Sequence, residues 1–143
     1  MSTPHDAVRG VVTVVYTALL ASVGACAVML QFVPVPHGGA PPRPVVEWVL
    51  LATGPAEYAV VTVLGRRWLA GGRGNALVRA RSYFLVRFAA AQAAAVFGLA
   101  VYSVGSPASH AWAFFGVSAA LLAVTFPGRR AFAEAVSAAQ GSP

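Results

Sequence analysis

The chain has 143 residues, of which 58% are hydrophobic and only 10% are charged, and its mean hydropathy is +0.71. An ordinary soluble domain carries about 25% charged residues, so this composition excludes a typical water-soluble fold and indicates an integral membrane protein. All ten basic residues are arginine, and the formal net charge is +6. The single cysteine, Cys26, excludes an intrachain disulfide and a cysteine-based metal site.

The first half of the chain contains two apolar runs separated by a proline-rich segment. Residues 10–33 carry no charge, and as a helix they would extend about 36 Å, enough to cross a hydrocarbon core of about 30 Å. A cleaved secretory signal is the alternative for this run, but the residues after Cys26 stay apolar. Residues 34–44 contain five prolines and two glycines, which predict an outer loop. Residues 45–64 form the second predicted span.

The second half of the chain predicts two further spans. Residues 65–81 contain five arginines and several glycines, which predict an inner loop; a phosphate-binding glycine loop is the alternative, but the Walker spacing is missing. Residues 82–104 and 109–126 are the third and fourth predicted spans, and residues 127–143 predict a polar tail with one or two helical turns. The sequence thus predicts an all-α integral membrane bundle of four transmembrane helices in a single domain, residues 1–143.

The arginines predict the orientation of this bundle. With the N-terminus inside, eight arginines lie on the inner side, Arg43 alone lies on the outer side, and Arg87 lies within a span. This asymmetry predicts that both termini are cytoplasmic, and we expect the protein in a bacterial inner membrane. Because the arginines flank apolar runs, they indicate topology and attraction to anionic lipid headgroups at the arginine-rich loop, and not a nucleic-acid surface. Trp48, Trp112 and Trp68 fall at predicted membrane boundaries.

Two ionisable residues lie inside predicted spans. Glu57 is about 13 Å along the helix from Arg66, near the bilayer midplane, where a charge costs about 2.5–3.5 kcal/mol. We therefore expect Glu57 to be protonated, paired or facing a watery cavity, sheltered by the neighbouring segments. Arg87 is the predicted partner, because it can reach that depth and shares a helical stripe with small residues that favour close packing, namely Ala91, Ala94, Ala95 and Gly98. Span four carries a similar stripe at Gly116, Ala119, Ala120 and Ala123.

The other polar residues give weaker signals. Gln92 lies about 140° around the helix from Arg87 and is predicted to hydrogen-bond a different helix or a second copy. Glu47, at the outer boundary, is expected to be solvated. A metal site formed by Glu47, His37 and His110 has no supporting spacing, so we predict no metal and no cofactor.

Two functions are compatible with these patterns. No catalytic motif is present, and the favoured interpretation is a non-enzymatic structural or accessory membrane protein that binds other membrane proteins or itself. In this interpretation Glu57 and Arg87 form an ion pair that sets the register of the helices. The alternative is a small oligomeric proton-coupled transporter or channel, in which Glu57 titrates, Arg87 modulates it, and Pro55 frees a backbone carbonyl nearby.

Overall fold

The structure is a computed structural model that describes residues 4–32 and 44–141. These ranges contain five α-helices and no strand: α1 (Pro4–Phe32), α2 (Pro44–Gly71), α3 (Ala76–Ser103), α4 (Ala108–Val124) and α5 (Arg129–Gln140). The all-α prediction is confirmed. The predicted loop at residues 34–44 lies outside the described residues, apart from Pro44, which begins α2.

Three of the helices are long and apolar enough to cross a membrane. These are α1 from Asp6 onward, α2 and α3. The shorter α4 meets α5 at an angle of 69°, and the two together count as a fourth candidate if they are taken as one bent span. The chain therefore has three to four candidate membrane-spanning helices.

The loop between α2 and α3 is much shorter than the sequence predicts. It comprises only residues 72–75, because α2 continues to Gly71 and α3 already begins at Ala76. Asn75 caps α3, since its side-chain oxygen accepts a hydrogen bond from the Leu77 amide at 2.8 Å. The predicted spans end where arginines begin, yet arginine is a good helix former, so the helices extend beyond the apolar residues.

Contacts between the helices define an up-and-down arrangement. The Gln92 side chain near the middle of α3 bonds Ser22 near the middle of α1, and Tyr102 near the end of α3 bonds the carbonyl of Leu30 near the end of α1. The two helices therefore run in the same direction. The α2–α3 loop and α5 lie at one end of the bundle, which we call the arginine end. The α3–α4 turn and the start of α2 lie at the opposite end, which we call the Glu47 end.

The central helix is α3, which contacts all four other helices. In its most apolar stretch 44% of the residues are buried, against 17% in α1 and 11% in α2. Close approach depends on small residues: a Cβ on Gly54 would lie 3.0 Å from the Cβ of Ala94, and one on Gly98 would lie 2.8 Å from that of Phe114. The predicted stripe of α3 therefore packs inside the bundle. In α4 the small residues at 116, 120 and 123 are exposed, and larger side chains such as Phe115 face inward.

The predicted tail is a helix that packs against the bundle. α5 has 12 residues, about three turns, where the sequence predicts one or two. Its buried residues are Phe132, Ala135, Val136 and Ala139, at the spacing of an amphipathic helix. The ring of Phe132 stacks on Phe84 of α3 with centroids 5.9 Å apart and planes 24° apart. This contact secures α5 at the arginine end.

Candidate functional site

Arg87 is held by two tyrosines. Its Nη2 donates a hydrogen bond to the hydroxyl oxygen of Tyr58 on α2. Its guanidinium carbon lies 5.1 Å from the centre of the Tyr58 ring and 5.3 Å from that of the Tyr83 ring. Both distances are within the range of a cation–π interaction. The faces of these two rings stabilise the Arg87 guanidinium. They take the place of the Glu57 carboxylate, which the sequence predicts as its partner.

The Tyr58 hydroxyl also joins Arg87 to α4. An arginine only donates hydrogen bonds, so the tyrosine oxygen accepts from Arg87. The Thr125 hydroxyl donates to the carbonyl of Leu121 at 2.6 Å, so its oxygen accepts from the Tyr58 hydroxyl, which lies 2.6 Å away. The directions of these bonds are therefore consistent along one chain that links α3, α2 and α4. Tyr58 is 8% exposed and Thr125 1%, and such buried networks favour a single arrangement of the helices.

Glu57 lies on the outer face of α2. Its side chain is exposed and lines a surface groove of about 620 Å³ between α2 and α3. It forms no hydrogen bond or salt bridge with any residue that the structure describes. The structure thus does not join Glu57 to Arg87, and the expected shelter by neighbouring helices is absent. Successive residues of a helix point about 100° apart, and Tyr58 is the one that faces Arg87.

The groove around Glu57 consists mostly of small and aliphatic side chains. Its other lining residues are Thr53, Ala56, Val60, Val61, Val86, Ala89, Ala90 and Ala93. Pro55 lies inside α2, which continues through it. The groove is therefore an apolar surface with one carboxyl group on it.

Gln92 connects α3 to a neighbouring helix of the same chain. Its Nε2 donates to the Ser22 hydroxyl of α1 at 2.9 Å, and Ser22 in turn donates to the carbonyl of Leu19 at 2.7 Å. The Gln92 Oε1 is buried and has no donor among the described residues. This hydrogen bond is the polar contact between α1 and the central helix near their middles.

Glu47 is buried at the opposite end of the bundle. Only 7% of it is exposed, so the expectation that it is solvated is wrong. Its carboxylate accepts a hydrogen bond from the Ser106 hydroxyl and contacts Nδ1 of His110. Both partners bind the carboxylate directly, so the histidine is not placed between serine and acid as in a nucleophilic triad. The cluster joins α2, the α3–α4 turn and α4. His37, the third residue considered for a metal, lies outside the described residues.

Arg79 binds the ends of two helices. Its Nη1 donates to the carbonyl of Leu69 in the last turn of α2 at 2.8 Å, and its Nη2 donates to the carbonyl of Ala139 in the last turn of α5. These carbonyls belong to the groups that a helix C-terminus leaves unpaired, and a cation there is also favoured by the helix dipole. The sequence identifies Arg79 only as one of several topology-determining arginines, and no local pattern reveals this role.

Comparisons with known proteins give no family for this chain. No protein-family model, curated protein or solved structure matches it. Among the described residues, Glu57 is the one acidic side chain that is exposed within a candidate spanning helix and has no hydrogen-bond or ion-pair partner.

Proposed function

We propose that this protein is a multi-pass protein of the bacterial inner membrane that acts without catalysis, by associating with transmembrane helices, and that its first partner is a second copy of itself. The candidate spanning helices and the arginine asymmetry support a membrane location with both termini cytoplasmic. Trp48, Trp68 and Trp112 are exposed near helix ends, as expected for residues at membrane interfaces.

The exposed position of Glu57 carries this proposal. Contact of a charged side chain with lipid near the bilayer centre costs about 2.5–3.5 kcal/mol on the insertion scale. Coverage of the groove by another helix would give the carboxyl group a hydrogen-bonding partner and remove it from lipid. Ala56, Ala89 and Ala93 line the same groove, and small side chains allow a second backbone to approach closely.

A second copy of the chain can cover the groove with the same face of its own α2 and α3. In a two-fold contact about an axis along the membrane normal, the same surface meets on both copies, so the two Glu57 carboxyls would face each other. A protonated carboxyl both donates and accepts hydrogen bonds, so two of them can pair. Thr53, one turn from Glu57 on the same groove, offers a further hydroxyl. No nucleic acid and no cofactor enters this proposal.

Replacement of Glu57 by leucine is expected to weaken self-association in lipid vesicles about tenfold, because the interhelical hydrogen bonds are lost. Glu57→Gln should stay close to the wild type, since an amide still hydrogen-bonds. The measurement is energy transfer between donor- and acceptor-labelled copies over a range of protein-to-lipid ratios. Labels can be placed on α5 through Ser137→Cys in a Cys26→Ala background, because Ser137 is exposed and Cys26 is the only cysteine.

Glu134→Leu is the matched control, since it removes an exposed carboxylate outside the groove. It should leave the energy transfer unchanged. A wild-type protein that stays monomeric at every protein-to-lipid ratio would refute the proposal. So would a Glu57→Leu variant that associates as strongly as the wild type.

Proton-coupled transport by an oligomer is the second candidate, and the same exposed carboxyl favours it. In this candidate function Glu57 acts without an ion pair to Arg87, because Arg87 binds Tyr58. We expect a hydrophobic carbodiimide to modify Glu57 well before Glu47, because Glu57 is exposed on the lipid-facing groove whereas Glu47 is buried and hydrogen-bonded. Mass spectrometry of labelled protein measures both sites, and equal labelling would contradict the different environments of the two carboxyls.

Proton flux into vesicles separates the two functions. Transport requires a flux through the wild type that carbodiimide blocks and that Glu57→Gln abolishes. Self-association alone requires that the wild-type and Glu57→Gln vesicles be equally tight to protons. In both cases the labelling of Glu57 is recorded in parallel, so that a lack of flux is not mistaken for a lack of access.

A further inference from the structure

A cavity with charged and apolar side chains in its lining lies under α5 at the arginine end of the bundle. Its volume is about 330 Å³, and α2, α3 and α5 form its walls. Arg66 of α2 and Arg87 of α3 line it together with Tyr83, Phe84 and Glu134. The sequence places these two arginines in different roles, one at a membrane boundary and one in an ion pair, and only the fold brings them to one cavity.

The cavity has unused capacity to bind an anion. Neither Arg66 nor Arg87 forms a salt bridge with a described residue. Arg87 donates through Nη2 to Tyr58, and its Nη1 has no acceptor among the described residues. Glu134, the one carboxylate among the described residues that line the cavity, is already bound by the Arg130 Nε at 2.9 Å. The cavity therefore offers two guanidinium groups against one carboxylate that has its own partner.

An apolar groove adjoins the cavity. Its volume is about 420 Å³, and its lining is almost wholly apolar, with Val61, Leu64, Trp68 and Val86 among its walls. The Tyr83 ring lines both the groove and the cavity. It lies directly against α2, because a Cβ on Gly65 would come within 2.7 Å of the ring. The site thus combines a positively charged part with an apolar part.

The position of α5 suggests where this site lies in the membrane. α5 is a short amphipathic helix with its apolar face buried against the bundle, and it turns away from α4 by 69°. α5 shares this end of the bundle with the arginine-rich segment between α2 and α3, and arginines that flank apolar spans lie at the level of the lipid headgroups. The cavity beneath α5 then extends inward from the depth of the lipid phosphates, with Arg66 nearer than Arg87 to the α2–α3 loop, and the groove that adjoins it along α2 and α3 is at the depth of the acyl chains.

We propose that this site binds an anionic phospholipid, with its phosphate between Arg66 and Arg87 and an acyl chain in the groove beside Trp68. Guanidinium groups are well suited to bind phosphate oxygens. The proposal goes beyond self-association through Glu57 and does not depend on it. The arginine-rich loop predicts that anionic lipid headgroups are attracted to this end of the protein, and the cavity is a specific site at which one headgroup would bind.

Quenching of Trp68 by brominated lipids tests this proposal. Trp48→Phe and Trp112→Phe leave Trp68 as the only tryptophan, and both replaced residues are exposed, with Trp48 near the Glu47 end of α2 and Trp112 on the first turns of α4. The protein is placed in vesicles that contain brominated phosphatidylglycerol or brominated phosphatidylcholine as the quencher. We expect the anionic lipid to bind beside Trp68 about fivefold more strongly than the neutral lipid.

Arg66 and Arg67 provide a matched pair for the same measurement. They are neighbours on α2 and both are exposed, but only Arg66 lines the cavity. We expect Arg66→Gln to abolish most of the preference for the anionic lipid, and Arg67→Gln to retain it. Arg87→Gln should also lose the preference, but this variant removes the Tyr58 contact as well, so the Arg66 and Arg67 variants decide the result.

Three outcomes would overturn the proposal. Equal losses in Arg66→Gln and Arg67→Gln would show that diffuse surface charge attracts the lipid. Equal quenching by the two brominated lipids in the wild type would show that the site does not select for the headgroup. Displacement of brominated phosphatidylglycerol by inorganic phosphate, but not by chloride at the same ionic strength, would assign the cavity to a soluble phosphate compound.

Discussion

Gly98→Val is expected to lower the free energy of unfolding by about 2–3 kcal/mol, because overpacking of a close contact forces helices apart. A Cβ at this position would lie 2.8 Å from the Cβ of Phe114 and 3.2 Å from the carbonyl oxygen of Ala111. Neither atom is the end of a flexible side chain, so α4 itself must move away from α3. The measurement is reversible unfolding in mixed micelles followed by helical circular dichroism.

Gly116→Val is the control for this prediction. Gly116 lies in the middle of α4, and a Cβ there would meet no atom within 4 Å, so only the small difference in helix propensity between glycine and valine remains. We expect its free energy of unfolding to stay close to that of the wild type. A Gly98→Val protein as stable as Gly116→Val would mean that α3 and α4 do not pack at Gly98.

Arg79→Met is expected to destabilise the arginine end by about 2–3 kcal/mol. Each of its two hydrogen bonds has a charged donor, for which the net contribution is about 1.5–3 kcal/mol. Removal of the Nε atom, which is buried without an acceptor, offsets part of this loss. Arg79→Lys should be intermediate, since an ammonium group cannot reproduce the planar fork that reaches Leu69 and Ala139 at once.

Arg81→Met separates this effect from the loss of a positive charge, because Arg81 is on the same helix and is exposed. It should leave stability nearly unchanged. Amide hydrogen exchange gives a second readout: in Arg79→Met the amides of α5 should exchange faster, while those of the α3 core retain their protection. If both variants exchange alike, Arg79 does not hold α5 to the bundle.

Much of the fold could be predicted from the sequence. Long apolar runs are readable because a spanning helix must satisfy its backbone groups internally and present apolar side chains all around. The buried face of α5 was not predicted, because the composition of the tail is polar, although Phe132, Ala135, Val136 and Ala139 do have amphipathic spacing. Helix ends were less accurate, because arginine marks the edge of an apolar run but does not end a helix.

The candidate site was much less predictable. The sequence singles out Glu57 and Arg87 as ionisable residues within apolar runs, but whether they pair depends on how α2 is rotated about its axis. In the structure Tyr58 takes the place beside Arg87, and Glu57 faces the groove. A rotation of about 100° separates the two possibilities. A helix that is apolar on all sides has no polar face that would specify its rotation.

The sequence by itself determined that this chain forms apolar helices, where arginines lie relative to them, and which few residues carry ionisable groups inside them. Only the tertiary structure decided that α3 is central and that Glu47 is buried with Ser106 and His110. It also decided that Arg66 and Arg87 share a cavity. The physical reason is that composition and spacing report local properties of each helix. Which face of a helix packs against its neighbour depends on close contacts between residues on different helices, such as Gly98 and Phe114.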